Sequence, residues 1–260
     1  MKIAIVGAGI AGLSVARALL LRGAKPVVVA RDHGATARGA GIVCAQMWDR
    51  ALLPLARRGQ EIVASLVPVH RVGMAQIALS RATAKLVAKL EGRDVPPALE
   101  RVFRPEFARR IVRASFSPAE FWIENAALIR AMTRGLTLVP RLPRDADRVV
   151  VATASVGRPE RAVLARASLR APSMFHVVDT GLYMREDLAG DTTMANVRAT
   201  LADATGATCA FLRADTVAMA PRPIIRRRGN VWAFGGLAGD GLALAPALGE
   251  RLADELTSRA

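Results

Sequence analysis

Lys2-Ile3-Ala4-Ile5-Val6-Gly7-Ala8-Gly9-Ile10-Ala11-Gly12 decides the fold, because an apolar run of strand length enters glycines at fixed spacing. The pattern is G-x-G-x-x-G. Leu13 to Arg22 then carries apolar residues at helical spacing, Gly23 closes that helix, and Val27-Val28-Val29 supplies a second strand. Each glycine has a physical task. Gly7 permits the tight turn, Gly9 lets backbone amides approach a pyrophosphate, and Gly12 lets the helix pack closely on the strand. The helix start then offers unpaired N–H groups and a positive dipole end to phosphate. A complete strand–turn–helix–strand of this kind predicts a dinucleotide site.

The identity of the dinucleotide stays open at this point. The end of the second strand normally carries an acidic residue for the ribose hydroxyls. Here Val29 is followed by Ala30, Arg31 and Asp32. FAD with a weakened ribose contact, a 2′-phosphate of NADP accepted by Arg31, and an empty, degenerate site are the three readings.

Composition narrows the class. The chain has 260 residues, 52% of them apolar, enough for a sizeable core in one large or two small domains. No apolar run reaches spanning length, and Arg17 interrupts the first apolar stretch, so we expect a cytoplasmic protein without a membrane span. The net charge of +15 is almost all arginine, since only Lys2, Lys25, Lys85 and Lys89 are lysines. The arginines are scattered and lack aromatic interleaving, which argues against nucleic acid as a partner. Cys44 and Cys209 lie far apart, and His33, His70 and His176 have no ligand spacing, so no metal is expected.

Further along, Asp32 to Ala40 reads as a loop, Ala45 to Ala56 as a helix, and 72–91 as an amphipathic helix. An irregular, arginine-rich section follows from Arg101 to Trp122, then a helix from Glu124 to Met132 and short strands at Leu136–Val139 and Val149–Ala152. Residues 160–217 suggest antiparallel sheet with a helix near Thr193 to Ala202. A strand at Val231–Phe234 and a helix from Leu244 to Leu256 complete the chain. The fold class is therefore α/β, a Rossmann-like FAD/NAD(P)-binding domain with a parallel sheet plus a smaller mixed or antiparallel substrate domain. The cofactor domain is expected from 1–56, 124–157 and 218–260, and the substrate domain from 57–123 and 158–217.

Near the C-terminus, Val231-Trp232-Ala233-Phe234-Gly235-Gly236-Leu237-Ala238-Gly239-Asp240-Gly241-Leu242 joins a strand to a helix through clustered glycines. Such a turn places amides and a helix start beside a flat ligand. Arg38-Gly39-Ala40-Gly41-Ile42, Trp122-Ile123-Glu124-Asn125-Ala126-Ala127-Leu128 and Asp145 to Ala154 add further pieces in order. Together with the N-terminal motif, this layout resembles FAD-dependent oxidoreductases of the D-amino-acid oxidase and glycine oxidase type.

The resemblance implies FAD as cofactor and hydride transfer from a C–H next to an amine or amino-acid nitrogen. The residues it would place around FAD are Gly7, Gly9, Ile10, Ala11 and Gly12, then Ala30 and Arg31, then Arg38, Gly39, Ala40, Gly41 and Ile42. Ala152 and Thr153 join them, with Gly235, Gly236, Gly239, Asp240, Gly241 and Leu242. Tyr183, Arg185 and Arg222 are the substrate candidates, because an amino-acid carboxylate needs a cation. No catalytic base is assigned. The partner expected is a small-molecule substrate, with a homo-oligomer or a larger dehydrogenase complex around it. An NAD(P)-binding reductase, a flavin monooxygenase and a non-catalytic subunit are the rival readings. Three departures stand out: Ala30 in place of the ribose acid, no Asp-Gly in Met219 to Ile225, and Asp240 inside the glycine turn. The chain is also short for this family, so a trimmed substrate domain is expected.

Overall fold

The computed structural model describes residues 1–153, 155–220 and 222–258; Ala154 and Pro221, within segments quoted above, lie outside them. In chain order the elements begin with β1 (Ile3–Val6), α1 (Ile10–Leu21), β2 (Val27–Val29), α2 (Gly34–Arg38), β3 (Ile42–Val43), α3 (Leu53–Leu66), β4 (His70–Arg71), β5 (Met74–Ala78) and α4 (Arg81–Val87). They continue with α5 (Pro97–Glu100), α6 (Pro105–Ala108), β6 (Arg113–Ser117), β7 (Phe121–Trp122), α7 (Asn125–Thr133), β8 (Thr137–Val139), β9 (Arg148–Val151) and β10 (Arg158–Ala167). The last are β11 (Met174–Val177), β12 (Leu182–Arg185), β13 (Leu188–Asp191), α8 (Met194–Thr205), β14 (Cys209–Met219), β15 (Ile224–Arg228), β16 (Val231–Gly235) and α9 (Gly241–Thr257).

β1 is apolar throughout because it lies inside a six-stranded sheet ordered β15-β16-β9-β1-β2-β8. All pairs are parallel except β15 with β16. A strand covered on both faces has no polar side to alternate with. Helices α1, α3, α7 and α9 supply the cover, and Ile5, Leu13, Leu19, Val150, Trp232 and Leu252 lie in one buried cluster with them. The right-hand βαβ unit of β1, α1 and β2 is as the glycine motif predicts.

A second, seven-stranded sheet runs β14-β10-β13-β12-β11-β5-β6 and is antiparallel except where β11 lies parallel to β5. One face packs on α8 through Phe175, Leu182, Met184, Val197 and Leu201. The opposite face carries a polar row set by register: Ser115, Gln76, His176, Tyr183, Gly190, Leu164 and Arg213, one residue from each strand in turn. A small three-stranded sheet, β3-β7-β4, is built from strands interleaved in sequence with those of the two larger ones.

Three expectations need correction. Residues 72–91 are not one helix: 74–78 form β5, buried at all five positions, and only Arg81–Val87 is helical. The helix read at 45–56 begins instead at Leu53, after a 3-10 turn in which the Asp49 carboxylate accepts the Ala51 N–H. Its Ala56 and Val63 pack in the first core. The loop Asp32 to Ala40 contains the short helix α2.

Candidate functional site

The N-terminal turn has the geometry that phosphate binding requires. Gly7 has φ +112°, a left-handed conformation that L side chains disfavour, and its N–H donates to Val29 O at 2.9 Å. A Cβ at Gly12 would strike the Gly7 carbonyl oxygen. Above Gly9, by contrast, a Cβ would find nothing nearer than Thr36 Oγ1 at 3.4 Å. The space that matters is open. Thr36 Oγ1 accepts the Ile10 N–H at 2.8 Å, so the first orphan amide of α1 holds a hydroxyl where an anion oxygen would bind. Ala11 is half-buried in the same turn.

Ala30, half-buried, donates its N–H to Val139 O, while Arg31 is exposed and makes no hydrogen bond or ion pair with a described residue. Ala152 donates to Val6 O, and its own carbonyl crowds Gly7, so β9 ends against the glycine turn. Thr153 shares a hydrogen bond with Ser155 at 2.6 Å.

The C-terminal turn reaches the same place. Gly235 closes β16, Gly236 has φ +63°, and Gly239 has nothing within 4 Å of an added Cβ. At Gly241 an added Cβ would lie 3.4 Å from Ile10 Cγ2, so the two glycine turns meet. Leu242 packs against the first core.

The third wall is the segment 38–47. Arg38 Nε donates to the Asp215 carboxylate at 2.8 Å, which ties this loop to β14 and holds the guanidinium pKa up. Gly39 O accepts from Asn125 Nδ2, Gly41 has φ +71°, and Ile42 pairs with Trp122. Ala40 O accepts from Arg185 Nη1 at 2.7 Å.

Buried polar atoms without partners border this wall: Trp122 Nε1, Asn125 Oδ1, Arg185 Nε and both amide atoms of Gln46. Each such atom costs on the order of 1–3 kcal/mol if left unpaired. A glycine cradle, an anion-ready helix start and a rim of unsatisfied donors and acceptors fit an extended, polar dinucleotide such as FAD. Sequence reasoning did not single out Gln46, Trp122 or Asn125 as site residues.

The substrate candidates separate. Arg185 is 9% exposed, lies 3.8 Å over the Trp122 ring, and has no carboxylate partner among the described residues. Burial lowers its pKa. Tyr183, two residues earlier on the same face, covers Gly190, and burial first, then Asp191, pushes its phenol up to about 12. Arg222 is exposed and pairs with Asp49 at 3.2 Å, away from this cluster of partners.

Beside them runs a buried polar chain that sequence reasoning did not foresee. Glu120, 2% exposed, accepts hydrogen bonds from Ala45 N and Gln60 Nε2 at 2.7 Å and from Ser117 Oγ at 2.9 Å. Burial raises its pKa against those bonds. Cys44 is held well up by burial and by Glu120. His176 Nδ1 lies 2.8 Å from Gln76 Oε1, and burial lowers the ring pKa to about 4. A neutral His176 donates through Nδ1 here.

The comparisons with known proteins follow this geometry. The profile of the family described as FAD dependent oxidoreductase matches residues 2–138. Curated protein sequences give no match. Among solved structures, L-proline dehydrogenase from P. horikoshii superposes with TM-score 0.79 at 16% identity, covering 99% of this chain and 93% of that one. Glycine oxidase from Geobacillus kaustophilus gives 0.76 at 17%, covering 100% and 95%. Iminodiacetate oxidase from Chelativorans sp. BNC1 gives 0.73 at 20%, covering 99% and 96%. With its profile spanning more than half of the sequence, the chain belongs to the D-amino-acid oxidase type family of FAD-dependent oxidoreductases.

Proposed function

We propose that this protein oxidises an amine or amino acid by hydride transfer to FAD. The observation that carries the substrate class is Arg185, a buried guanidinium that forms no ion pair with a described residue, on the sheet face that meets the loop 39–42. Glu124, Glu186 and Asp187 act on it only without direct contact, so burial still lowers its pKa, and a ligand carboxylate in contact would offset that cost. The names of the superposed proteins point the same way, toward glycine, proline and iminodiacetate.

FAD supplies the redox chemistry when bound. The chain supplies the rest. Ile10 and the open face of Gly9 would receive the pyrophosphate, Ala152 and Thr153 lie beside them, and Gly235 to Leu242 would lie along the ring system. Arg185 orients the substrate so that its C–H faces the cofactor. Tyr183, kept protonated, offers an O–H rather than a base. A neutral amine needs no base for hydride loss, and the Glu120 carboxylate and the His176 ring are already hydrogen-bonded.

We assign 1–56, 124–157 and 218–260 to the cofactor domain and 57–123 and 158–217 to the substrate domain. A cytoplasmic setting suits two unpaired thiols, Cys44 and Cys209. A homo-oligomer or a larger dehydrogenase complex would close the substrate side.

The test is spectroscopic. The purified protein, supplied with FAD, shows flavin absorbance and bleaches anaerobically on adding one of glycine, L-proline, D-alanine or iminodiacetate. Nicotinamide binding without flavin uptake would replace this reading with the NAD(P) alternative at Arg31.

A further inference from the structure

Asp240 occupies a position that a helix start ordinarily uses for capping, yet its side chain caps nothing. It directly precedes α9, makes no side-chain bond to the first turn, and enters no hydrogen bond or ion pair with a described residue. Its neighbour Gly241 approaches Ile10. Asp240 therefore stands where the two glycine turns meet.

The charges around it are unbalanced. Glu120 and Cys44 are the titratable groups that bear on it. The first turns of α1 and α9 bring no charged residue. β14, which packs on the turn, carries Arg213 and Asp215. Asp215 is held by Arg38, and Arg213 acts on Tyr183. Among the described residues no cation pairs with Asp240.

We propose that Asp240 is the group that takes up a solvent proton when the bound flavin is reduced and releases it on reoxidation. This rests on the reading that FAD binds across both turns. In the step, the substrate C–H bond breaks and its electron pair enters the flavin with the hydride, adding one negative charge. One solvent proton forms an O–H bond on Asp240, cancelling that charge. A quinone or dioxygen later takes the electron pair together with two protons, one the hydrogen that arrived with the hydride and the other from the Asp240 O–H bond, which breaks again. The dipole of α9 favours an anion at its start, so one negative charge is welcome there and two repel each other. Burial and Glu120 already hold the Asp240 carboxyl up to about 6, and a further adjacent negative charge raises it again.

The experiment is a spectroelectrochemical titration of the FAD-loaded protein from pH 6 to 9. Wild type takes up two protons per electron pair near pH 7, and Asp240→Asn takes up one. Equal proton counts in the two proteins overturn the proposal. Should Asp240→Asn fail to fold or to hold FAD, reduced-minus-oxidised infrared spectra of wild type decide. A protonated-carboxyl band that grows on reduction supports the role, and its absence overturns it. Failure to take up FAD at all overturns the functional reading as well, whereas a coloured protein with an unchanged proton count overturns this inference alone.

Discussion

The guanidinium carbon of Arg185 lies 3.8 Å over the ring of Trp122, while Nη1 is fixed to Ala40 O at 2.7 Å. His70 stacks against Trp122 at 3.7 Å with an interplanar angle of 9°. The arginine is thus pre-aimed rather than free to search. Arg185→Gln removes the charge and the stack, and is expected to raise KM for an amino-acid substrate about 10- to 100-fold, from the ~1.5–3 kcal/mol of a charge-assisted hydrogen bond. Steady-state kinetics check this, with kcat changing less than KM. An unaltered KM would take Arg185 out of the substrate site.

Two glycines three residues apart should behave differently. Gly12→Ala forces a Cβ into the Gly7 carbonyl, so the variant is expected to lose on the order of 1–3 kcal/mol of stability. At Gly9 an added Cβ would touch Thr36 Oγ1 at 3.4 Å without overlap, on an ordinary extended backbone, so Gly9→Val is expected to cost less stability than Gly12→Ala while FAD binding disappears. Thermal unfolding with and without added FAD separates the two.

Glu120 tests the buried polar chain. Three donors converge on its carboxylate, and Glu120→Gln turns one acceptor into a fourth donor. The expected loss is about 1–3 kcal/mol in urea unfolding, because an unpaired buried donor remains. An unchanged midpoint would show that Gln60 reverses its amide and repairs the network.

Stability against pH should reveal two opposing titrations. Asp240 binds a proton in the folded state up to about pH 6, which the unfolded chain releases near 3.8, so its contribution falls as pH rises through that window. His176 resists protonation down to about pH 4, while the unfolded ring accepts a proton below 6.5, so its contribution is lost as pH falls from 6.5 to 4. The slopes offset one another between pH 4 and 6. In Asp240→Asn only the smaller opposing titration of Glu120 remains beside the histidine slope, and unfolding free energy should fall toward acid by as much as about 3 kcal/mol. Urea midpoints at half-unit steps measure it; a flat profile in the variant contradicts the assignment.

The sequence revealed β1, α1 and β2 well because their signals are local: a continuous apolar run, glycines at fixed offsets, and 3.6-residue periodicity. β5 was hidden for a physical reason. Met74-Ala75-Gln76-Ile77-Ala78 is buried on both sides within a sheet, so no alternation marks it, and its residues are good helix formers. The start of α3 did carry a signal, since Pro54 favours the first helical turn. At the site, glycines and Arg185 could be singled out by type. Glu120, Gln76, His176 and Asn125 could not, because only the register of distant strands brings them together.

The order of strands in the first sheet has a consequence for synthesis. β1 lies beside β9, and a bond joins Lys2 N to Asp147 across 145 residues, while β16 must still slot in beyond β9. A nascent chain emerging from the ribosome therefore exposes its glycine motif long before a partner wall exists to complete it. Coenzyme capture becomes an event that follows translation, and cells short of flavin would accumulate a finished polypeptide awaiting its load.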